Sequence, residues 1–148
     1  MRAPIGKLNI GNMSTDIVLC TLPYIEFDLP PSASATLKGH LQSKGFKAET
    51  LDLNIMVKEF FGSNQKELKE IIPYFVKSIS HCHPRPLIYE LSSKTLENKL
   101  DKLVSLWCKV ILETNPKWIG LSVFSRDSRV ACKLLCKKLA TINIILKY

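Results

Sequence analysis

The chain holds only 6 glycines in 148 residues, and none falls between 23 and 34, the stretch that follows its first strongly apolar segment. A dinucleotide site needs glycine there, because the backbone must approach a pyrophosphate at a helix N-terminus with no Cβ in the way. G-x-G-x-x-G and the phosphate-loop pattern G-x-x-x-x-G-K-[ST] are both missing. NAD, FAD and nucleoside triphosphate chemistry are therefore disfavoured. No apolar run approaches the roughly 18 residues that span a bilayer, and the N-terminal MRAPIGKLNIGNMS lacks the apolar core of a secretory signal. These absences predict a soluble, cytoplasmic protein with no membrane partner.

Aromatic residues are few, at 8% of the chain, and they do not interleave with the 21 Lys and Arg, which are scattered at helical spacing instead of gathered in a run. A single-strand or RNA platform needs both features. The net charge of +8 is accordingly read as a Lys-rich solvated surface and not as a nucleic-acid interface. Cysteines number 5, at residues 20, 82, 108, 132 and 136; an odd count so dispersed is poor material for a disulfide framework and suits a reducing compartment. With 46% apolar and 23% charged residues, the composition is that of one globular domain with its own core. Residues 1–13 carry no motif and read as a flexible leader, which leaves 14–148 for the domain.

Residues 16–22, DIVLCTL, form a nearly continuous apolar run, as expected of a strand covered on both faces of a parallel sheet. Pro30 and Pro31 then open a helix from about Ser32 to Lys44, with Ala35, Leu37 and Leu41 on its apolar face. Gly45 stops it, and Phe46 is expected to fold back on the last turn. A second strand covers 47–52, and two helical patterns within 54–80, the second broken at Pro73, read as a helical insertion. From Thr95 to Thr114 apolar residues recur at spacings of three and four, and Asn115 with Pro116 ends that helix. KWIGLSVF (117–124) is a third strand, 126–140 a helix with Val130, Leu134 and Leu135 facing inward, and INIILK (142–147) a last strand. The order predicts an α/β fold: a Rossmann-like doubly wound parallel sheet of about four strands, with a helical insertion between strands 2 and 3.

In such sheets a ligand sits beyond the carboxyl ends of the strands. The loops after Leu22, Asp52 and Val123 are the candidates. Asp52 stands where a ribose-binding acid would lie, but without the glycines it reads as a helix cap or turn residue.

Pro30, Pro31 and Ser32 leading into LKGHLQSKGFKAETLDLN, followed later by NPKWIGLSVFSRDS, resemble the N-terminal cobalamin-binding domain of cobalamin-dependent radical S-adenosylmethionine proteins. There a proline-containing loop opens a helix that ends in a Gly turn before a strand closing in Asp-x-Asn, and a later Asn-Pro precedes an apolar strand ending in Gly-x-Ser. The two stretches span roughly residues 15–140, in the family's order. The resemblance implies a corrin ring over the carboxyl edge of the sheet and a nucleotide tail between strand and helix. It implies Ser122 as hydrogen-bond partner of the tail, with Phe124 in place of the family's Leu; Tyr24, Pro30 and Ser125 are expected as further cobalamin contacts because they lie in the loops at the sheet's carboxyl edge. The family's Asp-x-His-x-x-Gly motif for the lower axial His is absent, and the turn after strand 4 and the module's last helix and strand do not follow before Tyr148. The expectation is a module incomplete at its C-terminus that binds a corrinoid weakly, or docks on a radical S-adenosylmethionine catalytic domain in trans.

Catalytic machinery is not visible. Cys132 and Cys136 have the first spacing of the C-x3-C-x2-C motif that holds a 4Fe-4S cluster, but residue 139 is Leu, and on a helix the two read as small buried hydrophobes. His81, Cys82 and His83 are the one compact His and Cys cluster, without an evident fourth ligand for zinc. His40 reads as a surface or half-buried helix residue. A response-regulator-like domain needs paired acids after strand 1, where Pro23 and Tyr24 stand. The remaining alternative is a small Rossmann-like interaction or regulatory domain with no cofactor.

Overall fold

The computed structural model describes residues 14–23, 32–62, 94–123 and 128–142. Strand β1 (Ile17–Thr21) lies between β2 (Ala48–Asp52) and β3 (Trp118–Ser122), and all three run parallel in the order β2-β1-β3. Val18 stands opposite Glu49 on one side and Ile119 on the other, so the two apolar strands read from the sequence are neighbours in register. The sheet is the α/β arrangement expected. The predicted fourth strand begins in a turn at Ile142 and otherwise lies outside the described residues, as do the second helical pattern of the insertion and the leader.

Side chains alternate across a strand, which assigns each face its own partners. Val18, Cys20 and Leu22 point into the main core, joined there by Leu51 of β2 and by Ile119 and Leu121 of β3. Helices α2 (Leu53–Phe61), α3 (Lys94–Glu113) and α4 (Ser128–Thr141) cover this face. Helix α3 contributes most, burying Leu96, Leu100, Leu103, Val104, Trp107 and Ile111 along one stripe at the predicted spacing. Leu19 and Thr21 point the other way, toward α1 (Ser32–Ser43). Helices on both faces make the sheet doubly wound.

Two predicted helix faces are corrected. Helix α1 turns Ser34 to the sheet, with Lys38 and Leu41 half-buried, while Ala35 and Leu37 are exposed. Its weak amphipathicity does not set the rotation; a hydroxyl contact from Ser34 to Thr21 (3.0 Å) and an ion pair from Lys38 to Glu49 of β2 (2.8 Å) do. In α4 the buried stripe is Ser128, Ala131, Leu135 and Leu139, with Val130 and Leu134 only partly covered. Docking on α3 rotates the helix to this stripe, and Lys138 reaches Asp101 of α3 at 2.7 Å.

Helix ends follow local chemistry. Asp52 caps α2, its carboxylate accepting from the amides of Asn54 (2.9 Å) and Ile55 (3.2 Å), as read from the sequence. Gly45 takes φ +86° after α1; its amide donates to the Gln42 carbonyl and that of Phe46 to the Leu41 carbonyl, the Schellman pattern. The Phe46 backbone folds back as expected, but its ring is 52% exposed and does not close on the helix.

At the N-terminal edge one carboxylate gathers all three strands. Asp16 precedes β1; its Oδ2 accepts from the Lys47 amide before β2 (2.8 Å), and its Oδ1 from Lys117 Nζ before β3 (2.6 Å). The hydrogen bond from the Lys117 ammonium, more than any other contact, lowers the Asp16 pKa below the ordinary carboxylate value of 3.8. A group whose folded pKa is depressed stabilises the fold above its unfolded pKa, and that contribution is lost as pH falls through the folded one. Denaturant midpoints measured between neutral pH and pH values below 3.8 should therefore converge in Asp16→Asn relative to the parent protein. Equal acid sensitivity in the two proteins would exclude this role.

β1 and β3 also approach closely on the α1 side. A Cβ at Gly120 would lie 2.8 Å from Leu19 Cδ2, so the absence of a side chain there is what seats Leu19. Gly120→Val is expected to cost about 1–3 kcal/mol by overpacking. In a Leu19→Ala background the added cost should shrink, as a double-mutant cycle by urea unfolding measures directly.

Candidate functional site

The strand order creates one place where neighbouring strands send their chains to opposite faces. β1 continues toward α1, β3 continues to α4 on the other face, and their carboxyl ends lie side by side at Thr21 and Ser122. This is the switch point at which open parallel sheets bind ligands. Helix starts meet there because short connections return the chain to the carboxyl edge. Thr21 Oγ1 and Ser34 Oγ, near the start of α1, are hydrogen-bonded at 3.0 Å, and Ser128, first residue of α4, donates to the Pro23 carbonyl at 3.4 Å. The N-terminal ends of α1 and α4, with their positive dipole ends, thus flank the crevice.

Of the residues predicted to contact a cofactor, Ser122 is described, and it ends β3 directly opposite Thr21, half-buried. Tyr24, Pro30 and Ser125 lie outside the described residues. Sequence reasoning did not place Thr21, Ser34 or Ser128 at the binding site; they are buried at 5%, 5% and 0% exposure around the same crevice. The signal was present in one form only: a hydroxyl residue closing each apolar strand, Thr21 after IVLC and Ser122 after WIGL.

Thr21, Ser34, Ser122 and Ser128 bring hydroxyls to the crevice, and Asp52, which ends β2 opposite Thr21, is a charged side chain beside them. The four hydroxyls suit hydrogen bonding of a neutral or phosphate-bearing ligand. Cys20, one residue before Thr21, points into the core, where burial pushes its thiol up to about 12. It is inert as a nucleophile at neutral pH. On the α1 side of β3, Leu19 fills the space above Gly120.

No protein-family model, curated protein or solved structure matches the chain. The functional reading therefore rests on geometry and on the sequence resemblance.

The remaining candidates separate in space. Asp52 is committed to capping α2. His40 is exposed on α1, and the His81, Cys82 and His83 cluster lies outside the described residues. Among the described residues no three His, Cys, Asp or Glu side chains gather into a metal-binding group, and no helix is long and apolar enough to cross a membrane. Cys132 and Cys136 are half-buried at the border of the α4 stripe, not fully buried as their helical setting suggested. If the Thr21 and Ser34 contact anchors α1 at the crevice, Thr21→Val should lower stability by about 1–2 kcal/mol. Thr21→Val/Ser34→Ala should cost less than the sum of the single changes in chemical denaturation, and strict additivity would argue against the anchor.

Proposed function

We propose that the chain carries a cobalamin-binding-like module of the kind found in radical S-adenosylmethionine proteins, in a sequence with no C-x3-C-x2-C motif. It takes up a corrinoid weakly or docks on a catalytic partner. The observation that carries the reading is the parallel juxtaposition of β1 and β3, Thr21 against Ser122, at a switch point flanked by two helix starts. What supports the reading is that the two stretches carrying the resemblance supply α1, β3 and the start of α4 around this crevice, with β1 as its other strand. The donor set fits the group: Ser122 and Thr21 can serve the nucleotide tail with hydroxyls, and the α1 and α4 amides favour its phosphate. A bound corrinoid would supply methyl-transfer or radical chemistry through its cobalt. This chain's part is to hold and orient it.

A second reading, an interaction or regulatory domain with no cofactor, is favoured by the opposite edge of the sheet. There Phe46, before β2, and Trp118, opening β3, are 52% and 46% exposed. Large aromatic surface at a sheet edge is the material of protein interfaces.

Equilibrium dialysis against hydroxocobalamin separates the two. Saturable, weak uptake, read as corrin absorbance on the protein side and abolished in Ser122→Phe, is the expected result. No uptake, or uptake indifferent to Ser122→Phe, would overturn the corrinoid reading and leave the interaction domain.

A further inference from the structure

Helix α4 carries a pair of thiols to which the corrinoid reading assigns no role. Cys132 and Cys136 lie one turn apart, half-buried, with their Sγ atoms 4.0 Å apart. The axial rotation of the helix is fixed on both sides of the pair: Ala131, Leu135 and Leu139 are buried in the core, and Lys138 is paired with Asp101 of α3. The two sulfurs are therefore held on one flank and at one separation.

Helix geometry decides what such a pair can do. Residues four apart keep their Cβ atoms about 5–6 Å apart, whereas a disulfide requires roughly 3.5–4.5 Å. The pair cannot oxidise to a disulfide without unwinding a turn. A bridging atom has no such difficulty. With metal–sulfur bonds of about 2.3 Å, as in zinc thiolates, sulfurs 4.0 Å apart subtend an angle of roughly 120° at the metal. That is a trigonal angle, with one coordination place left open. Zinc in structural sites takes four protein ligands, and no third donor joins the pair among the described residues. Soft thiolates with few ligands select monovalent copper.

We propose that Cys132 and Cys136 form a two-thiolate site for a soft monovalent d10 cation of the Cu(I) type, its third place open to an exogenous soft donor such as a small thiol. On binding, each thiol releases its proton to solvent and each sulfur donates a lone pair to the metal. No electron is transferred. The dithiolate complex carries one net negative charge, and Arg129, Lys133 and Lys137, exposed along the neighbouring row of the same helix, offset it. Burial first, then the charge of Cys132, pushes the Cys136 thiol up to about 11. A cation between the sulfurs removes the second of these penalties.

The test titrates the reduced full chain with Cu(I) alone under anaerobic conditions, in competition with a colorimetric Cu(I) chelator. One equivalent should be withheld from the chelator. Cys132→Ser and Cys136→Ser should each weaken retention roughly a hundredfold or more, because the second sulfur acts at high effective concentration. Cys82→Ser should retain the parent affinity. A register variant, Cys136→Ser/Lys137→Cys, keeps the thiol count but moves one sulfur off the flank. With its helical circular dichroism unchanged it should bind as poorly as the single variants. Retention by Cys132→Ser/Cys136→Ser equal to that of the parent protein, or tight binding by the register variant, overturns the proposal. The corrinoid dialysis is read at a different place in the fold, so the two ideas fail independently.

Discussion

Because β1 is paired along both edges, Ile17 to Thr21 against Ala48 to Asp52 and against Trp118 to Ser122, it cannot move without releasing both neighbours. A central strand so held must also be apolar on both faces, since helices cover each. IVLCT meets that demand with Val18 and Cys20 in the main core and Leu19 and Thr21 toward α1. The rest of the described structure is organised around this strand. Asp16 ties its start to the starts of β2 and β3, Gly120 lets β3 pass close to Leu19, and Thr21 fixes α1 through Ser34.

The two ends of the sheet have different characters for the same reason. At the N-terminal edge the chain arrives from loops, and a charged clamp with exposed Phe46 and Trp118 faces solvent. At the carboxyl edge the chain leaves toward helices on opposite faces, so the hydroxyls of Thr21, Ser34, Ser122 and Ser128 converge with the starts of α1 and α4. The first edge suits a partner surface and the second a small ligand held by hydrogen bonds. The paired thiols of α4 belong to neither edge, so the proposed metal site is independent of both.

Strands and the long helix were readable because their signal is periodic and local. Leu96, Leu100, Leu103, Val104, Trp107 and Ile111 recur at the helical period and are buried together. Gly45 and Asp52 announced their turn and cap through backbone chemistry that involves only a few neighbouring residues. The faces of α1 and α4 were less readable. Each is short and mixed in composition, so single tertiary contacts, Ser34 with Thr21 and Lys138 with Asp101, outweigh the weak apolar bias that pointed to Ala35 and Leu37 or to Val130.

What the sequence by itself determined is the alternation of apolar strands with helices, and hence an open parallel α/β sheet, together with the absence of a phosphate loop. Apolar runs, periodicity and glycine placement are written in consecutive residues, and they need no knowledge of what lies across the fold. Only the tertiary structure decided that Thr21 stands beside Ser122, that Ser34 and not Ala35 meets the sheet, and that two thiols one turn apart share a flank at 4.0 Å. Those facts depend on strand order and helix rotation, which are set by contacts between residues far apart in the chain.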